Sequence, residues 1–242
     1  MASEVTQQLS GLPEAAAASG RPEGESLAER YAAMAHAYEP RPVDRVLRAL
    51  DVLIAGLVLL LSSPVLLLFT VAIRLSSGRP ILYRGARVGQ AGRVYQMYKF
   101  RTLAPDAETR LGPFYGPELE KKTLGEVTRV GLVMRVTQLD ELPQLFNVLA
   151  GDMSIVGPRP IRPVFFERLC EQIPAYWQRL VLRPGLTGFA QVRVGREETW
   201  AEKLAHDLEY IADRSVPLYL RTVAVTGWRV LRQSLKGFVR PR

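Results

Sequence analysis

RVTQLDELPQLFNVLAGDMSIVGPRP, Arg135 to Pro160, sets an adjacent acidic pair against a short apolar run. Asp140 and Glu141 open a helix that Gly151 ends, and the turn Gly157-Pro158-Arg159-Pro160 follows. Two cappings fit. Asp140 is the N-cap, with Glu141 at N1 and Pro143 in the first turn, where proline is tolerated. Alternatively Thr137 caps and Asp140 completes a capping box, which leaves Pro143 deep in the helix. Either way both carboxylates sit at a helix N-terminus, where backbone N–H groups favour anions. Acidic residues at helix starts are usually caps and nothing more. The surroundings of this pair argue for chemistry.

Those surroundings are cationic. Lys99-Phe100-Arg101-Thr102 ends a predicted strand with two cations on one face, and Arg135 lies five residues before Asp140. Arg159 stands between two prolines and Arg183 precedes Pro184-Gly185. An arginine held in a rigid turn is pre-positioned for two-pronged phosphate contact. Cations on such turns beside a carboxylate pair describe a diphosphate site with a divalent metal. Mg²⁺ suits it, since it takes few carboxylates plus substrate oxygens. Zinc spacing is missing: the histidines are His36 and His206, and Cys170 is the single cysteine. No dinucleotide-binding or P-loop glycine pattern appears.

Upstream, Val52 to Ile73 is 22 residues without a charge. At roughly 1.5 Å per residue this reaches about 33 Å, enough to cross a hydrocarbon core of about 30 Å. Ser62-Ser63-Pro64 at its midpoint predicts a bend, with the hydroxyls bonding carbonyls that the proline frees. Both flanks are basic, Arg41, Arg45 and Arg48 before and Arg74, Arg79, Arg84 and Arg87 after. A spanning helix is expected to be asymmetric in this respect. The sequence therefore favours a re-entrant hairpin hinged at Ser63 and Pro64 over a single span. Near the C-terminus Leu220, Val223, Ala224, Trp228, Leu231 and Leu235 share one side of a helix, bordered by Arg221, Arg229, Arg232 and Lys236. That pattern suits a helix lying in the headgroup layer, and equally one packed on a core.

The remainder is read as a small mixed domain. Ile81–Tyr83 and Val94–Phe100 have strand character, and Asp106 to Thr123 reads as a loop. Pro163 to Leu180 is helical with an interruption at Pro174, Phe189 to Val194 alternates like a strand, and 197–213 returns to helix. The expected organisation is a flexible tail over 1–40, a basic entry and re-entrant helix over 41–75, and a catalytic domain over 76–242. Its class is α+β, mainly helical with short strands, anchored by the membrane hairpin and by interfacial amphipathic helices. Net charge is +8 overall, but residues 1–40 hold six glutamates and two arginines, so the body alone is +12. Charge of that size suits nucleic acid, anionic lipid or phosphorylated substrates without choosing among them. No apolar core in the first 30 residues marks a secretory signal.

With these blocks in hand, the chain resembles the bacterial sugar transferases, the small monotopic phosphoglycosyl transferases. The resemblance covers about Arg41 to Leu235. It rests on the SSP-broken apolar segment, KFRT at 99–102, LDELPQLFNVLAGDMSIVGPRP at 139–160, RPGLTGFAQV at 183–192 and DLEYIADRSVPLYL at 207–220. It implies transfer of a phosphosugar from a UDP-sugar to a polyprenol phosphate, releasing UMP, at the cytoplasmic face of a bacterial inner membrane. This is the opening step in building glycans such as capsule, exopolysaccharide or O-antigen. It also implies a re-entrant helix at the Ser-Pro. On this chain Asp140 would be the nucleophile, forming an aspartyl phosphosugar, and would contact Mg²⁺. Glu141 would assist, by taking a proton or orienting groups. Lys99, Arg101, Arg135, Arg159 and Arg183 would place phosphates, with Gln191 a further substrate contact. Phe189, Leu103, Val194 and Tyr219 depart from the residues usual at their positions, and none touches the acidic pair.

Two other classes compete. A non-catalytic basic adaptor at the membrane surface explains the charge but not the acidic pair among phosphate-type cations. A nucleic-acid binder would interleave aromatics with cations or carry a known motif, and neither is present. The sugar, the glycan and the oligomeric state stay open, a homodimer through the C-terminal helix included.

Overall fold

The computed structural model describes residues 40–107, 122–195 and 199–239, with the side chains of 235–239 excepted. The tail expected over 1–40 lies almost wholly outside the described residues, as does most of the loop expected over 106–123. Leu235 and Lys236 of the C-terminal stripe also fall outside the described side chains.

The first described element, α1 (Pro42–Ser77), is a single helix of 36 residues. Pro42 occupies its first turn, and Asp44 accepts from the Arg41 N–H at 2.8 Å. The helix continues through Pro64. Proline cannot donate to the Leu60 carbonyl, and the Ser63 hydroxyl does so instead at 2.8 Å, while Ser62 donates to Val58 at 2.6 Å. The hydroxyls thus do what the sequence predicts, but Ser62–Pro64 does not divide the helix into two. Replacing the lost backbone bond from the adjacent residue keeps the ladder satisfied.

One face of α1 packs on the protein at its first half and again near its far end. Leu47, Asp51, Ala55 and Leu59 are buried at four-residue spacing, and Ile73 is buried near the far end. Leu53, Leu57, Leu60, Leu61, Leu67, Leu68, Val71 and Leu75 are exposed on the rest of the surface. Both ends are fastened to the same body. Arg48 donates to the Val148 and Leu149 carbonyls at 2.7 and 3.1 Å, and Asp51 accepts from Ile155 N, Ser154 Oγ and the Tyr219 hydroxyl. At the other end Arg101 donates to the carbonyl and hydroxyl of Ser77 at 2.6 and 2.9 Å.

β1 (Leu82–Val88) and β2 (Val94–Phe100) form an antiparallel hairpin in which Tyr83 faces Lys99 and Val88 faces Val94. α2 (Arg129–Thr137), a 3₁₀ turn (Leu139–Glu141) and α3 (Gln144–Ala150) follow. β3 (Ser154–Val156) pairs in parallel with β4 (Gly185–Thr187). The two backbones approach so closely that a Cβ on Gly185 would lie 2.1 Å from Gly157 N. Between them run α4 (Pro163–Gln172) and a 3₁₀ segment (Pro174–Val181), the interruption expected at Pro174. α5 (Phe189–Arg193), α6 (Trp200–Asp213) and α7 (Val216–Val239) complete the chain.

The body is thus mainly helical with two small sheets, as an α+β reading expects. The strand expected over Phe189 to Val194 is corrected: Phe189–Arg193 form α5, with Val194 as its extended C-cap, because Phe189 and Ala190 both turn inward and Phe189 packs against Tyr210. A six-residue run that alternates also satisfies helical spacing, so its period alone could not choose. On α7, Tyr219 and Thr222 are buried while Leu220, Ala224, Trp228 and Leu231 stay exposed beside Arg221 and Arg232. Among the stripe's described residues, only Val223 packs on the main core.

Candidate active site

Asp140 and Glu141 do not cap a helix in either of the expected ways. Thr137 is the last residue of α2, its hydroxyl donating back to the Val133 carbonyl at 2.8 Å. Gln138 then takes a left-handed conformation (φ 58°), and the acidic pair sits in the 3₁₀ turn between α2 and α3. Pro143 becomes the N-cap of α3, and Gly151 ends it at φ 91° as the sequence predicts. The left-handed residue reverses the chain between two helices, so the pair is presented on a corner. Pattern reading merged that corner into the helix behind it.

Several ties hold the corner and its flanking helices against the hairpin. Lys99 Nζ meets Glu141 Oε1 at 2.5 Å, with both side chains partly exposed. Arg135 Nε donates to Thr102 Oγ1 at 2.9 Å, and the Thr102 carbonyl accepts from Thr128 N at 2.9 Å. Gly131 lies against Thr102 so tightly that a Cβ there would come within 2.1 Å of its carbonyl oxygen. Asn147, fully buried on α3, accepts from Tyr98 N at 2.9 Å and donates to the Gln96 carbonyl at 2.7 Å. It stitches the helix that follows the pair to the strand carrying Lys99.

This environment divides the two carboxylates. Burial raises the Asp140 carboxyl, and the neighbouring Glu141 charge adds to that; Lys99 and Arg135 oppose it, and the balance is a group pushed up to about 6. Asp140 therefore remains mostly ionised at neutral pH but is poorly solvated. A desolvated carboxylate flanked by two cations is suited to nucleophilic attack on phosphorus. Glu141 is ion-paired with Lys99, which fixes its orientation.

The remaining expected residues are distributed. Arg101 is buried and turned to Ser77, with its Nε and Nη1 lacking a hydrogen-bond partner. The 157–160 turn lies toward the tip of the hairpin, since Ile161 bridges Val88, the end of β1 remote from Tyr83 and Lys99. The Arg159 side chain is exposed there, and its carbonyl accepts from Arg179 at 2.9 Å. Arg179 in turn makes a buried ion pair with Asp207 at 2.8 Å. Arg183 donates to the Gly151 carbonyl at the far end of α3 from the acidic pair. Gln191 has a buried amide nitrogen without a partner, and its carbonyl accepts from Arg229.

Sequence reading passed over Thr102, Asn147, Asp51 and the Arg179–Asp207 pair. Asn147 had a signal, a lone amide in the apolar run Leu145–Ala150, and Asp51 had another, an acid at the start of the apolar segment. The donor set also bears on metal. Among the described residues no group of three or more histidine, cysteine or carboxylate side chains is gathered for an ion. Two adjacent carboxylates fit an ion that takes the rest of its oxygens from substrate and water, as Mg²⁺ does, and not one that needs a full protein cage.

Comparison with known proteins adds independent findings. The family model described as bacterial sugar transferase matches residues 43–233. A "UDP-glucose:undecaprenyl-phosphate glucose-1-phosphate transferase" of Caulobacter vibrioides is 42% identical over 192 residues, covering 75% of this chain and 69% of its own. A "UDP-N-acetylgalactosamine-undecaprenyl-phosphate N-acetylgalactosaminephosphotransferase" of Aeromonas hydrophila is 37% identical over 203 residues, 82% of this chain. The chain spans only 46% of that relative's length. The "Exopolysaccharide production protein PSS" of Rhizobium leguminosarum is 35% identical over 208 residues, 81% of this chain and 100% of its own.

Proposed function

The chain belongs to the bacterial sugar transferase family, and from that premise we propose that it moves a sugar-1-phosphate from a UDP-sugar to undecaprenyl phosphate, releasing UMP. The relatives' names supply the reaction class. The observation that carries it to this chain is the desolvated Asp140 on its corner, with Lys99, Arg135 and Glu141 around it.

In this reading an Asp140 carboxylate oxygen attacks the β-phosphorus of the donor. The new oxygen–phosphorus bond forms as the bond to the bridging oxygen breaks, and UMP departs with that oxygen. A phosphate oxygen of the polyprenyl acceptor then attacks the same phosphorus and restores the Asp140 carboxylate, so two displacements replace one. Lys99 and Arg135 stabilise charge on the transferring group, which is most of what phosphoryl transfer asks of a protein. Glu141, oriented by Lys99, takes the acceptor's proton where the acceptor arrives protonated. Asp140, with Glu141 beside it, would hold Mg²⁺. The ion, when bound, neutralises part of the diphosphate charge.

The membrane geometry fits a lipid-linked acceptor. α1 is long and apolar enough to cross a bilayer, yet both its ends are tied to one body. A helix crossing the membrane would have to deliver its ends to opposite sides. The arrangement instead supports both ends of α1 lying on one face of the bilayer, with its exposed apolar surface in lipid and the exposed side of α7 at the headgroups. The bilayer is then that of the bacterial inner membrane, with the body on the cytoplasmic face, where UDP-sugars are found.

The test is UMP release by protein in nanodiscs given undecaprenyl phosphate, Mg²⁺ and a panel of UDP-sugars. Release with one donor, lost in Asp140→Ala, is expected; none with any donor would count against the reaction. Donor without acceptor should leave a phosphosugar mass on the Asp140 peptide. Its reproducible absence in active protein would replace the covalent route with direct transfer.

A further inference from the structure

At the opposite end of α3 from the acidic pair lies a cavity of about 670 Å³. It is walled by the first turns of α1, the turn of the β1–β2 hairpin, the Gly151–Ser154 segment and the Leu182–Arg183 stretch. Asp140 and Glu141 take no part in its lining. Its size falls within the range of small-molecule sites.

The cavity carries more hydrogen-bond donors than the protein uses. Arg183 donates through Nε to the Gly151 carbonyl, and its two terminal amino groups have no acceptor among the described residues. Arg93, at the hairpin turn, has no ion pair or side-chain hydrogen bond among them either. Two buried tyrosines also line the space. The Tyr95 hydroxyl is without a partner, and the Tyr210 hydroxyl, on a residue only 2% exposed, makes no hydrogen bond among the described residues. Buried hydroxyls are normally satisfied, so the Tyr95 hydroxyl left open marks a place for an acceptor, and the Tyr210 hydroxyl reaches accessible space beside it.

The carboxylates nearby are already engaged. Asp44 takes two bonds from Arg214, at 2.6 and 2.9 Å. Asp51 accepts from three donors, and Asp152 accepts from Asn147. Arg48 lies close enough to Arg183 to repel it, and its nearest carboxylate, Asp51, is 4.0 Å away. Open arginine donors, an unsatisfied buried hydroxyl and occupied carboxylates together favour an anion rich in oxygen acceptors.

We propose that this cavity is a phosphate-ester site distinct from the acidic pair, gripped by Arg183 and Arg93 with Tyr95 and Tyr210 donating to the ligand. The ester comes from one of two sources. One is a free nucleoside monophosphate held here in addition to the nucleotide that reacts at Asp140. The other is an anionic lipid headgroup, reached because the cavity opens beside the N-terminal turns of α1, where its exposed apolar surface begins; that arm does not depend on the reaction.

The experiment titrates UMP calorimetrically into the full chain in phosphatidylcholine nanodiscs, and separately measures phosphatidylglycerol retained by protein purified from mixed-lipid discs. Arg93→Gln and Tyr210→Phe are the informative variants, because neither group they remove has a partner among the described residues, so the described bonds are kept. For a nucleotide, each variant weakens UMP binding about tenfold, the order expected for a lost charged or buried donor. For a headgroup, phosphatidylglycerol retention falls in both variants. Binding and retention that are both insensitive to Arg93→Gln and Tyr210→Phe, or absent from the wild type, would overturn the proposal. UMP release, measured on the same preparations, reports separately whether the reaction itself stands.

Discussion

Neutralising Asp140 should destroy activity and stabilise the protein. In the metal-free fold its carboxyl sits at about 6, against an ordinary 3.8, chiefly because burial penalises the charge. A folded-state value above the unfolded one means the contribution to stability is fully present below 3.8 and is lost as pH rises through 6. Each unit corresponds to about 1.4 kcal/mol, so the wild type gives up about 3 kcal/mol between pH 3.5 and pH 7.5. Asp140→Asn keeps the shape and has no such loss. With the site's partial access to solvent discounting the figure, the variant should be about 1–3 kcal/mol more stable at pH 7.5. The gap should shrink below about 1 kcal/mol at pH 4.5. At about 2–4 °C per kcal/mol for a chain of this size, the midpoint of thermal unfolding rises by several degrees. The assay is thermal unfolding of both proteins in one detergent with EDTA, at pH 4.5, 6 and 7.5, paired with UMP release at pH 7.5. A variant that is less stable than wild type at pH 7.5, or a gap that ignores pH, would refute the claim that Asp140 is held ionised against its surroundings. Stability gained where activity is lost is the mark of a group placed for chemistry.

Three further outcomes are expected. Gly131→Ala would drive a methyl into the Thr102 carbonyl at 2.1 Å, costing on the order of 1–3 kcal/mol by denaturant titration and lowering UMP release, because Thr102 anchors Arg135. Tyr219→Phe removes one of three donors to buried Asp51 and should cost about 1–2 kcal/mol in the same titration; an unchanged midpoint would show that the bond contributes nothing net. Reporters fused before Pro42 and after Ser77, the two ends of α1, should report the same side of the membrane, and opposite sides would eliminate the re-entrant arrangement.

Much of this protein was legible in its amino acids because the signals are local. A charge-free run of 22 residues, a glycine after an apolar helix and two β-rich runs split by glycines need no knowledge of what packs where. The neighbouring acids Asp140 and Glu141 are together by covalent necessity, and Ser63 beside Pro64 can reach the orphaned carbonyl in any helix. The partners were not legible. Lys99 lies 42 residues from Glu141 and Arg135 lies 33 from Thr102, and no periodicity encodes such meetings. A single left-handed residue, Gln138, turned a predicted helix start into a corner. Among arginines that looked alike in sequence, Arg135 was brought to the acidic pair, Arg101 to the end of α1 and Arg183 to a separate cavity. Sequence alone thus determined which groups could do chemistry, because side-chain chemistry and helix or strand periodicity are properties of the chain. Tertiary structure decided which of them meet and which carboxylate is partly desolvated, because desolvation and charge proximity depend on what the folded chain places alongside.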